Sequence, residues 1–224
     1  MKFKRLNAYK GRISVPQIVE GMNAAVRNSC RLSADARLLL EGNRFPSATA
    51  LAILAIEEAG KVSILRGLSI APNDEVIKAS WKAYRSHIAK NAAWIIADLA
   101  RNGASTLNDL RPIYDPESEH TAQLDALKQI SFYTDCLGAA HWSEPHEVID
   151  VNLAKAMVKL SELLTPKRKI EVREIELWVE HVAPHWGTQG MFNAAVNFYD
   201  AMRAEGLDFR DPNEIRRFFG IKLE

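Results

Sequence analysis

The 224-residue chain is 47% apolar and 25% charged, an ordinary globular balance that excludes intrinsic disorder. Its net charge of +1, from 29 basic and 28 acidic side chains, supplies no global field toward nucleic acid or an anionic membrane and leaves only a local basic patch open. No apolar run approaches the roughly 20 residues of a membrane helix, and no apolar stretch of a signal peptide follows the basic start Met1–Arg5, so a soluble cytoplasmic protein without a membrane partner is expected.

In chain order, Ser14-Val15-Pro16-Gln17 combines an N-cap, an early proline and a Gln at the third position, and predicts a helix to Glu41. Gly42-Asn43 stops it. Pro46 opens a second helix running past Leu65. Ala71-Pro72-Asn73-Asp74 breaks that helix and caps a third, expected over about 75–101. Pro112 and Pro116 mark 107–119 as a loop. A fourth helix is predicted over 120–134. The stretch 138–145 reads as irregular, with Trp142 turned inward, and a fifth helix over 146–164 follows. Thr165-Pro166 reads as the cap of a sixth helix ending near Pro184. Thr188 starts a seventh that Gly206 closes, and Asp211-Pro212-Asn213-Glu214 opens a short last helix to Phe219.

Strand signals are scarce, and the Asn-Gly pair Asn102-Gly103 closes a helical run rather than joining two alternating ones. The fold class is therefore all-α, an antiparallel helical bundle over 1–145 with a helical C-terminal extension over 146–224 packed on it. Cys30 and Cys136 sit in no C-x-x-C pair and are expected as buried reduced thiols.

Several chemistries lack their signatures. Gly60-Lys61 is not the end of a phosphate-binding loop, because Ala55 and Val62 stand where Gly and Ser or Thr are needed. Glu117-x-x-His120 is half of a di-iron motif without its second copy, and Pro184 separates His181 from His185, so neither metal nor another cofactor is expected. There is no G-x-S-x-G nucleophile turn.

Two polar constellations remain. In the apolar run 48–65, Glu57 and Glu58 are adjacent, and residues 100° apart cannot both avoid the apolar side of a covered helix. At least one should be buried, bonded to a cation or amide on another helix, since an unpaired buried carboxylate is expensive. Lys61 is in reach of both along the helix. Further on, Tyr84, His87, Asn91 and Trp94 repeat at three and four, flanked by Arg85 and Lys90. An imidazole among cations suits binding or protonation of a phosphate ester. A structural ion-pair network and a polar surface are the competing readings of the two clusters.

Gly21-Met22, Asn28, Arg31-Leu32, Asp35-Ala36, the run Leu51 to Glu58 with Gly60-Lys61, and Arg85-Ser86-His87-x-x-Lys90-Asn91 together resemble the AbiV family of abortive-infection proteins. Lys128, Tyr133-x-Asp135 and Trp142-x-x-Pro145 are similar to its later landmarks. The resemblance covers about 18–145. It implies a HEPN-like bundle and a phage-defence effector that halts growth or translation. It also implies a homodimer, RNA or the translation machinery as target, and a phage protein as trigger. HEPN nucleases usually carry an Arg-x(4–6)-His motif. Here Arg85 and His87 are too close, and Arg173 and His181 too far apart. Two functions stay open. One is metal-independent RNA cleavage, with His87 as general acid or base, Arg85 and Lys90 stabilising charge beside Asn91, and Glu57, Glu58 and Lys61 orienting them. The other is non-catalytic binding of a phage product or of the translation machinery. The C-terminal aromatics, from Trp178 to Phe219, are the candidate dimer surface.

Overall fold

The capping box at Ser14 forms as its residues dictate. Gln17 N donates to Ser14 Oγ at 3.4 Å, Ser14 N donates to Gln17 Oε1 at 2.9 Å, and α1 runs over Val15–Glu41. The computed structural model describes residues 7–86, 106, 109 and 120–220. After α1, Asn43 rather than Gly42 takes the left-handed conformation, with φ of 58°, a position Asn tolerates well. Helix α2 then spans Phe45–Ser69. Asn73 accepts from Val76 N at 3.0 Å and starts α3, Asp74–Arg85. The single helix expected to 101 is interrupted, because Ser86 is extended. The rest of that span lies outside the described residues. Helix α4, His120–Phe132, meets the expected start.

A two-stranded antiparallel hairpin stands where irregular chain was expected. Strand β1 is Asp135–Leu137 and β2 is His141–Ser143, with Cys136 opposite Trp142. Its turn uses positive φ at Gly138 and at Ala140, a connection without the Asn-Gly signal. The ribbon packs almost none of its surface, so Trp142 is 74% exposed rather than turned inward. Both cysteines are likewise exposed. Cys136 shares the hairpin. Cys30 lies beside the buried stripe of α1, which includes Met22, Val26, Ser29, Ser33 and Ala36.

The expected fifth helix divides into α5, Pro145–Val148, and α6, Val151–Leu164. Asp150 causes the division, because its carboxylate caps α6 by accepting from Leu153 N at 2.8 Å. Thr165-Pro166 does not cap the next helix. The chain stays non-helical until α7, Val172–Val182, where Glu171 N donates to Glu174 Oε1 at 3.1 Å. A 3₁₀ turn over Ala183–His185 leads to α8, Met191–Ala204, and Asp211 caps α9, Pro212–Phe218.

Helix α2 is apolar nearly all round, so it sits at the centre. It lies antiparallel to α1, with Ser29 Oγ donating to Ala55 O at 2.8 Å and Gly21 facing Leu65. Ala48, Ala52 and Ala55 are fully buried and let neighbouring backbones approach. One core cluster joins α1, α2, α3 and α7 through Met22, Leu65, Ile77, Trp81 and Ile175. A second joins α1, α2, α4 and α6 through Leu40, Ile53, Ile56, Leu124 and Val158. A third, around Leu177, Phe198 and Met202, holds α8 on α7. So α6 shares a core with α1 and α2, whereas α8 packs in a cluster of its own.

A polar seam sets the register of these contacts. Buried Ser29 bonds Thr165 Oγ1 at 2.8 Å, and Ser33 bonds Ser161 at 2.9 Å. Asn23 donates to Ile170 O at 2.8 Å and accepts from Ile170 N at 2.9 Å, satisfying both backbone groups of a buried residue. These bonds have a direction that apolar packing lacks.

Candidate functional site

Of the two adjacent carboxylates, Glu57 turns inward and is 1% exposed. Its partner comes from α4: Lys128 Nζ donates to Glu57 Oε1 at 2.6 Å. The expectation of a buried carboxylate bonded to a cation on another helix is met. Lys128 is itself 5% exposed and reaches Asp125 Oδ1 at 2.7 Å. That second contact is an ion pair within one turn of α4. Burial alone would lower the Lys128 pKa, but the contacts to Asp125 and Glu57 outweigh it and hold the ammonium above its ordinary range. One buried cation thus sits between the buried Glu57 and the partly exposed Asp125.

Glu58, rotated 100° from Glu57, faces elsewhere. It accepts from Lys61 at 2.5 Å, and each side chain keeps 17% of its exposure. Lys61 also lies over the Tyr84 ring, 5.0 Å from its centroid, which ties α2 to α3. Tyr84 in turn meets Trp81 edge-on at 5.5 Å.

Arg85 points away from both. It donates to Trp81 O at 3.0 Å and to Tyr9 O, and its guanidinium stacks 5.3 Å from the Trp81 ring. The predicted set therefore divides among three surroundings: Glu57 with Lys128, Glu58 with Lys61 and Tyr84, and Arg85 with Trp81 and the N-terminal segment. His87, Lys90 and Asn91 lie outside the described residues.

Two features were missed in the sequence. In the sequence Lys128 stands only among the family landmarks, yet it is the single Lys or Arg in α4, and a buried Glu57 demands a cation from a neighbouring helix. Lys78 and Lys82, four apart on the exposed side of α3, border a basic hollow with Lys10 and Arg85. The i, i+4 lysines were legible, but the approach of Lys10 was not.

Among the described residues, no helix is long and apolar enough to cross a membrane, and no three His, Cys, Asp or Glu side chains cluster as metal ligands would. The chain thus forms an antiparallel bundle centred on an apolar helix, with an inward Glu held by a lysine of another helix, and its HEPN-like assignment comes from the family model that matches it. The AbiV family model matches residues 17–165, from the first turn of α1 to Thr165 of the polar seam, and the chain belongs to the AbiV family. That membership ties it to abortive-infection defence. Comparison with curated proteins and with solved structures yields no match.

Proposed function

We propose that this chain is a phage-defence effector that arrests growth or translation by binding rather than by cutting RNA. The observation that carries this reading is the sealing of Glu57 against Lys128 inside the bundle. A carboxylate so placed ties α2 to α4, a structural role. Glu58 pairs with Lys61 on its own helix, and Arg85 faces the N-terminal segment beside the Trp81 ring, so Glu57, Glu58 and Arg85 stand in separate surroundings. Fold analogy alone supplies no reaction. The partners of such an effector are RNA or the translation machinery, a phage protein as trigger, and a second copy of the chain, met in the cytoplasm.

The test is growth arrest on induction of His87→Gln, alongside melting temperature and total-RNA integrity. An amide keeps hydrogen bonding but cannot carry a titrating proton. The binding reading expects His87→Gln to keep most of the arrest, with RNA intact in the parent. Fragmented RNA in the parent, together with an inert His87→Gln that melts like the parent, would establish cleavage instead.

A further inference from the structure

Lys78, Lys82 and Arg85 stand at i, i+4 and i+7 of α3 and form one exposed stripe. Lys10 of the N-terminal segment completes a hollow of about 640 Å³ lined by these cations, Trp81 and Ser86. Among the described residues, no carboxylate lines it, and Lys10, Lys78 and Lys82 form no ion pair. Arg85 is fixed in place by the carbonyls of Trp81 and Tyr9, which orient its charge without cancelling it. Four positive charges thus gather in one depression of a chain whose net charge is only +1. Like charges held together repel, and an anion in the hollow relieves that repulsion.

The aromatic surroundings narrow the kind of anion. Trp81 Nε1 donates to Gly11 O at 2.8 Å, which pins the segment carrying Tyr9 and Lys10 against α3. The Tyr9 ring meets Trp81 edge-on at 6.0 Å, and the residue is 57% exposed and adjoins Lys10, which lines the hollow. From Lys78 to Arg85 the helix rises about 10 Å. Phosphates of one strand recur about every 3.4 Å along a duplex axis and lie further apart in an extended single strand, so the stripe is long enough to face two of them. Cations that track phosphates beside an open aromatic face are how single strands are held without sequence readout.

We propose that this hollow binds nucleotide phosphates, with the Tyr9 ring as the stacking face for a base. The inference rests on the binding reading and deepens it by naming the ligand chemistry. Phosphates of a strand and of a free nucleotide share that chemistry.

The probes are a short fluorescein-labelled single-stranded RNA and a fluorescent ATP analogue, followed by anisotropy over a salt series. Lys78→Ala/Lys82→Ala should bind RNA at least about tenfold more weakly. It should also lower the slope of log K against log salt by about 1.4, at roughly 0.7 per phosphate contact. Lys155→Ala/Lys159→Ala removes the same charge from exposed positions of α6 and should bind like the parent. Both double variants should melt like the parent, since all four lysines are exposed. Tight binding of the RNA alone would assign a strand, and comparable binding of the ATP analogue a free nucleotide. The proposal is overturned if neither probe binds at low salt, if the two double variants lose affinity equally, or if a poly-glutamate peptide of equal charge displaces the RNA as well as unlabelled RNA does. Overturning it while His87→Gln still arrests growth removes only the ligand assignment, whereas parent RNA cleavage removes the reading beneath it.

Discussion

Replacing Lys128 by Met removes the ammonium from Glu57 and Asp125 while keeping the length of the side chain. Glu57 is 1% exposed and Lys128 5%, with 2.6 Å between their charged atoms, so water cannot take the place of the lost partner without opening the core. Breaking a buried pair by removing one member typically costs about 3–5 kcal/mol. In a domain of this size each kcal/mol moves the melting temperature by about 2–4 °C, so Lys128→Met should melt roughly 6–20 °C below the parent. The double variant Glu57→Gln/Lys128→Met should lose less than the sum of its single changes, with a coupling of about 0.5–3 kcal/mol. The pH dependence has a definite sign. The folded-state pKa of Lys128 is raised, so its contribution is complete below the ordinary value and is lost only as pH climbs through the raised one. The contribution of Lys128 to the parent should therefore be retained from neutrality to about pH 10. Melting temperatures by circular dichroism across that range are the assay. A Lys128→Met protein that melts within about 2 °C of the parent, less than the shift of a single kcal/mol, would refute the argument that this pair is buried and structural.

Two further predictions concern the C-terminal half. Asn23→Ala should cost about 2–4 kcal/mol in chemical denaturation, because it leaves both backbone groups of buried Ile170 without their partner; a loss below about 0.5 kcal/mol would mean that water replaces the amide. Asp208 is held below the usual carboxylate range mainly by its hydrogen bond from Arg210, so it stabilises the fold above its ordinary pKa and loses that effect as pH falls through the lowered one. The melting deficit of Asp208→Asn should therefore be constant above about pH 4 and shrink below it, and a deficit that grows on acidification would contradict the assignment.

The sequence by itself determined the helices whose ends are written in local chemistry. Ser14 with Gln17, Asn73 and Asp211 cap where their side chains reach backbone N–H groups two or three residues on, and that depends on nothing distant. It also determined that one carboxylate of the Glu57-Glu58 pair is buried, because adjacent residues on a covered helix cannot both escape the core. Tertiary structure decided which one and with what partner, since Lys128 lies 71 positions away and only the packing of α4 on α2 brings it to Glu57. Among the described members of the predicted site, spacing gave the Glu58–Lys61 pair, but the contacts of Lys61 with Tyr84 of α3 and of Arg85 with the N-terminal segment come only from packing. The exposed hairpin with Trp142 follows the same logic. Large aromatics are expected inside because burial of their area is favourable, but that holds only where another element covers them, and which surfaces are covered is a property of the assembled fold.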